Sequence, residues 1–186
     1  MQVVNTRYHY NITFEEYEKL YGLSYSKLKS YDRPVLNTPS IQFGQKVHQY
    51  LLEPHLFEHD GQLTLIKFCA KKVREVLGDL WQHLETEVSV QADFVHDGFF
   101  LPYKGRIDMM VKNRIIVDLK VSRHQLSKTI THFGYDNQLN GYMLATGIRR
   151  AAIIRVCPDS YVTEMKVIPF DSFFWQNSVL KFGKVI

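Results

Sequence analysis

Asp118 and Lys120 stand two residues apart inside the apolar run 115–121, and Asp108 closes the segment Gly105-Arg106-Ile107-Asp108 just upstream. The run is short, β-branched and apolar, the pattern of a central strand. On a strand, side chains at i and i+2 share one face. A carboxylate and an ammonium therefore emerge together, while Val117, Leu119 and Val121 point the other way. Asp108, on the preceding predicted strand and across a turn at Asn113-Arg114, can sit beside them. Two carboxylates hold a hard cation such as Mg²⁺ through oxygen and leave positions open for phosphate and water. Such a cation polarises a phosphodiester and lowers the pKa of its bound water. A lysine beside it can orient or deprotonate the attacking water, or offset charge that builds on the phosphate. By spacing alone, Asp-x-Lys is equally an ordinary ion pair at a strand end, so the surrounding sequence has to decide.

The stretch from Glu87 through Gly105-Arg106-Ile107-Asp108 to Val117-Asp118-Leu119-Lys120-Val121-Ser122 closely resembles the core of the PD-(D/E)XK nuclease superfamily. It looks most like the RecB-like and exonuclease VIII-type branch, that of phage recombination exonucleases. There the first acid ends a Gly-Arg-x-Asp-like strand, and the second lies in an acid-x-Lys strand, for which Asp118 is an allowed variant. Residues 43–54 (FGQKVHQYLLEP) resemble the upstream helix of that branch, whose histidine approaches the metal; here it is His48. Imidazole nitrogen suits Mn²⁺ better than the harder Mg²⁺. Gln138 and Tyr142 resemble the QxxxY signature on the helix after the catalytic strand, and at i and i+4 they share one helix face. Their amide and hydroxyl suit a DNA phosphate or the catalytic acids. Glu87 stands where relatives often carry a glutamate and is a candidate helper ligand.

The resemblance covers about residues 24–147 and implies a catalytic set of Asp108, Asp118, Lys120, Gln138 and Tyr142. It implies metal ligands His48, Asp108 and Asp118, with Glu87 as a helper. Mg²⁺ or Mn²⁺ is the expected cofactor. The iron–sulfur members of the branch need four cysteines, and this chain has two, Cys69 and Cys157, expected as buried thiols. Arg123, His124 and Lys128, just past Lys120, are expected along a DNA backbone, as are Lys67, Lys71, Lys72 and Arg74 on an earlier helix. Tyr31 and Tyr103 are candidates for stacking on unpaired bases.

Periodicity supplies the elements that would position these groups. Thr13 and Glu16 have capping-box spacing in an otherwise irregular, aromatic-rich N-terminal extension, residues 1–23. A short helix is predicted over 24–31, ended by Pro34, and another from a Ser40 cap to about Leu52, stopped by Pro54. A helix follows over about 66–84. Alternation from Val88 to Phe94, the turn Asp97-Gly98, a strand over 99–111 and the run 115–121 make a meander. One long helix is predicted over 125–145 with Gly147 as its stop, then strands over 151–156 and 162–168 and a last helix from an Asp171 cap to Leu180. The expected fold is a single α/β (α+β) domain spanning 1–186: a mixed sheet flanked by helices, a restriction-endonuclease-like core with a helical N-terminal part.

Composition narrows the function classes. At 45% hydrophobic residues a core can form, and the net charge of +4 permits a polyanionic partner without demanding one. No apolar run approaches the roughly 18 residues of a membrane span, and no secretory leader is visible, so a cytoplasmic protein of a bacterium or phage-infected cell is expected. The expected activity is a metal-dependent deoxyribonuclease, an exonuclease on double-stranded DNA ends in recombination or repair. An endonuclease or nickase on the same fold, and a non-catalytic DNA-binding module, are the alternatives. The resemblance also implies a single-strand annealing protein as partner and a homo-oligomeric ring around the duplex.

Overall fold

The computed structural model describes residues 1–30, 37–58, 61–171 and 173, with the side chains at 28–30, 128–129 and 131–132 left aside. Tyr31, the Lys128 side chain, Pro34 and the helix expected to run to Leu180 lie outside these described residues.

The turns set the sheet. Asp97, Gly98 and Asn113 all adopt the left-handed backbone that tight hairpins require. They join β2 (Glu85–His96), β3 (Phe99–Val111) and β4 (Ile115–Val121) into the expected meander. Past β4 the chain crosses over through α5 (Leu126–Phe133) and α6 (Tyr135–Thr146) to β5 (Arg150–Val156), which pairs parallel with β4. β6 (Thr163–Pro169) returns antiparallel along β5. The single helix expected over 125–145 is therefore two. Gly134 breaks it at φ 66°, a left-handed conformation that favours glycine, and a Cβ there would run into the Tyr25 hydroxyl.

The N-terminal extension is not irregular. Gln2–His9 forms β1 against β2, with a bulge at Asn5, φ 56°. The six strands run in sequence order, β1-β2-β3-β4-β5-β6. Then α1 (Phe14–Lys19) starts on the predicted capping box, Thr13 with Glu16. Lys104 ties this segment to β3: its buried ammonium donates to the carbonyls of Tyr17, Glu18 and Leu20, the open C-terminal end of α1.

Helices cover both faces of the sheet. α2 (Tyr25–Ser30) precedes α3 (Pro39–Leu52), which starts from Thr38 rather than Ser40: the Thr38 hydroxyl accepts the Ile41 N–H, and Pro39 fills the first helical position. α4 (Leu63–Leu77) ends sooner than expected and passes into a 3₁₀ segment, Gly78–His83. Val47, Leu51, Ile66 and Val73 of α3 and α4 pack on Met109, Val117, Leu119 and Ile154. On the other face, Leu139 and Met143 of α6 pack on Val88, Val90, Ile107 and Ile116. Both cysteines are buried and free, as expected, and burial pushes the Cys69 thiol up to about 11. No described helix is long and apolar enough to cross a membrane.

Candidate metal centre

The ladder between β3 and β4 pairs Val111 with Ile115, Met110 with Ile116 and Met109 with Val117, and there it ends. Continued in register, Asp108 would face Asp118. Instead the strands part, and side chains serve the freed backbone of β4. Asp108 Oδ2 accepts the Leu119 N–H at 2.8 Å, and His48 Nε2 meets the Leu119 carbonyl at 2.9 Å. A carbonyl only accepts, so Nε2 carries the imidazole proton. Nδ1 is left with its lone pair, 3.7 Å from Asp108 Oδ2.

Glu87 completes the group. Val88 and Ile107 belong to the α6-side core, and so does Met110, which strict alternation would turn to the opposite face from Ile107. The interruption coincides with Glu87, whose φ of 52° is rare for a residue with a side chain. The kink brings Glu87 in beside Asp108. One ligand atom each from His48, Glu87 and Asp108 lie within 4.8 Å of one another. Burial, then the charge of Asp108, pushes the Glu87 carboxyl up to about 7 even though Arg106 pulls it down.

Asp118 and Lys120 do emerge on one face, as the i, i+2 spacing predicts. Asp118 is outside the three-residue cluster but close enough to feel the charges of Asp108 and His48. Its carboxylate is buried, 1% exposed, and burial with help from Asp108 pushes it up to about 6 against the pull of Lys120. Lys120 Nζ lies 2.6 Å from Asp118 Oδ2, outside hydrogen-bonding angles, and neither Asp118 oxygen has a hydrogen-bond partner among the described residues. Burial works against the Lys120 charge, but Asp118 and Asp108 outweigh it and raise the pKa above the usual lysine value. The ammonium also lies 4.8 Å from the centre of the Tyr135 ring.

Sequence reasoning left two residues here without a role. The Arg106 guanidinium, 9% exposed, bridges Glu87 at 2.5 Å and Glu53, at the end of α3, at 2.7 Å. The i, i+2 relation of Arg106 to Asp108 was visible, but its partners lie 19 and 53 residues away. Tyr142 takes a different place from the one expected. It is buried, donates its hydroxyl to the Arg106 carbonyl at 2.8 Å, and accepts from the Gln138 amide at 2.8 Å. The pair shares a helix face as predicted, but Tyr142 is spent inside the protein, steadying β3 two residues from Asp108. Its ring lies against Gly105, where any Cβ would collide with it. Tyr103, a candidate for base stacking, is 1% exposed and stacked on Phe94.

Of the basic groups, Arg123 is exposed and paired with Asp159 at 2.6 Å. On α4, Lys71 and Lys72 meet Glu75, and Arg74 lies over Trp81. Lys67 and His124 are exposed.

A divalent cation fits this chemistry. Two clustered carboxylates, of which Glu87 is raised by burial and by the charge of Asp108, and an imidazole presenting a lone pair suit such a cation, and the buried Asp118 carboxylate lies beside them with Lys120.

No family model and no curated protein sequence matches the chain. Among solved structures, a candidate exonuclease from Eubacterium rectale superposes with a TM-score of 0.56 at 17% identity, over 90% of this chain and 73% of that one. An alkaline exonuclease from Laribacter hongkongensis gives 0.47 at 13% identity, over 91% and 89%. A phage-related exonuclease from Haemophilus somnus gives 0.44 at 15% identity, over 88% and 90%. The Eubacterium rectale protein shares the α/β fold described above, a mixed sheet flanked by helices.

Proposed function

We propose that the chain is a divalent-metal-dependent deoxyribonuclease that hydrolyses DNA phosphodiester bonds, acting as an exonuclease on double-stranded ends. The observation that carries this reading is the convergence of His48, Glu87 and Asp108 on one point, with Asp118 and Lys120 beside it. His48 Nδ1 and the carboxylates of Glu87, Asp108 and Asp118 would hold the cation. When bound, Mg²⁺ or Mn²⁺ supplies Lewis acidity for the scissile phosphate and lowers the pKa of the attacking water. Arg106 holds Glu87 in place. Lys120, kept as an ammonium by two carboxylates, is suited to orienting water and offsetting charge on the phosphate rather than to removing a proton. The end-directed mode rests on the resemblance of residues 43–54 and 105–108 to the exonuclease branch, and an endonuclease or nickase on the same fold is the alternative. A single-strand annealing partner and a ring-shaped oligomer are consistent with that mode.

The test is digestion of linear and covalently closed circular duplex in Mg²⁺ or Mn²⁺. Linear DNA should be degraded progressively, closed circles should survive, and Asp108→Ala and Asp118→Ala should abolish cleavage while folding normally. Cleavage near wild-type rates in Asp118→Ala would overturn the site. Efficient cutting of closed circles would overturn only the exonuclease mode.

A further inference from the structure

Arg106 stands among the acids of the metal centre, and its surroundings hold it there. Nε donates to Glu87 Oε2 at 2.5 Å, Nη2 to Glu53 Oε1 at 2.7 Å and Nη1 to the Ile12 carbonyl at 3.4 Å. The centre of the Phe14 ring lies 5.8 Å from Cζ. Nε and Nη2 share one edge of the planar guanidinium, and such a fork commonly grips both oxygens of a single carboxylate. Here each nitrogen has a carboxylate of its own, one from β2 and one from the end of α3. Oxygens from two different residues thus converge on one positive group, as they would on a bridging cation. Glu87 is shared in the same sense, being both a member of the cluster with His48 and Asp108 and the acceptor for Arg106. Hydrolytic sites with two metals place the ions about 3.5–4 Å apart. This one has a ligand cluster on one side of Glu87 and a guanidinium on the other.

The charges around the centre point the same way. Ionised, Glu53, Glu87, Asp108 and Asp118 carry four negative charges, and Arg106 and Lys120 offset two of them. His48, whose Nδ1 presents a lone pair, adds none. The two negative charges that remain equal the charge of one divalent cation. A second such ion would leave two positive charges in excess. It would also stand beside a guanidinium that does not lose its proton and is held by three acceptors. We infer that the Arg106 guanidinium takes the place a second metal ion would hold between Glu53 and Glu87, so that the centre takes a single divalent cation. The inference rests on the metal-centre reading above. It makes Arg106 a built-in counter-ion that fixes the metal count, a role separate from steadying Glu87.

The test counts Mn²⁺ on the full chain without DNA, by electron paramagnetic resonance and by calorimetric titration. The wild type should bind one Mn²⁺ per chain. Arg106→Met removes the charge and keeps much of the side-chain length. It should bind two, the second close enough to the first to couple their spectra. Mn²⁺ should also raise its melting temperature by more than it raises that of the wild type, because an ion now neutralises Glu53 and Glu87. Adding Glu53→Gln to Arg106→Met should return the count to one. Two ions bound by the wild type would overturn the inference. So would a count of one on Arg106→Met, or two on the double variant. An Arg106→Met chain that stays unfolded in excess Mn²⁺ would overturn it as well, since no ion then replaces the guanidinium. The count is read without turnover. A wild type that binds one ion and digests no DNA would sink the nuclease reading alone, and one that digests DNA with two ions bound would sink this inference alone.

Discussion

Gly105→Ala puts a methyl group where the structure has no room for one. An ideal Cβ at Gly105 would stand 2.5 Å from Cε1 and 2.8 Å from Cδ1 of Tyr142, and 3.0 Å from Tyr103 Oη. Carbon atoms settle at about 3.5–4.0 Å, so the ring must withdraw by roughly 1 Å. The ring is 5% exposed and packed in the α6-side core, and its hydroxyl spans 2.8 Å to the Arg106 carbonyl. Overpacking of this kind costs about 1–3 kcal/mol, and a stretched buried hydrogen bond adds about 1 kcal/mol. The expected destabilisation is therefore about 2–4 kcal/mol, or a melting temperature lower by roughly 5–15 °C for a chain of this size. The sign is informative, because glycine to alanine at a compatible strand position normally stabilises. The assay is urea unfolding in EDTA of Gly105→Ala, Tyr142→Ala and the double variant. If the ring is the obstacle, the penalty at position 105 should shrink by more than about 1 kcal/mol once Tyr142 is truncated. An equal penalty in both backgrounds, or a penalty below about 0.5 kcal/mol, would refute the reasoning.

Three further outcomes follow from the same geometry. His48→Ala should weaken Mn²⁺ affinity by about tenfold or more in calorimetric titration, because Nδ1 is a proposed ligand atom, and unchanged affinity would return His48 to a structural role. Lys104→Met should cost about 2–4 kcal/mol and speed proteolysis within residues 1–23, since three carbonyls at the end of α1 lose their charged donor; an unchanged digestion pattern would count against the tether. The Leu126 N–H, then Arg155, hold the Glu164 carboxyl below its ordinary value near 4.5, so the stabilisation it provides is present above that pH and lost as pH falls through the lower folded value. Glu164→Gln should thus unfold more readily than wild type at neutral pH, by no more than about 1 kcal/mol because the group is partly exposed, and the gap should close in acid; a gap that persists would contradict the linkage.

What the sequence revealed, and what it hid, follows from how local each cause is. β4 was legible because its seven residues carry a self-contained pattern between a turn and a polar stretch, and the pairing of Asp118 with Lys120 came from strand geometry alone. β1 was not legible. It is an edge strand with a bulge at Asn5 and mostly exposed side chains, so its alternation never shows as apolar against polar. The break at Gly134 was visible as a glycine, but an isolated glycine is tolerated inside a helix. The deciding contact is Tyr25, over a hundred residues upstream in sequence. The left-handed turn at Glu87 and the Arg106 bridges share that character: each is set by distant partners that no window of sequence contains. Likewise Tyr142 matched a motif by type and spacing, but only burial shows that its hydroxyl already has both partners.

The parted strands at Leu119 give the protein a built-in spectroscopic probe. One peptide unit has its N–H on Asp108 and the next has its carbonyl on His48, so both bonds end on proposed ligands. When a cation draws electron density from Asp108, the amide proton of Leu119 should shift upfield, and its solvent exchange should follow the state of the site rather than of the sheet. Leu119 has its side chain buried in the core formed with α3 and α4. Its amide resonance can thus count bound metal in a protein whose turnover has been silenced.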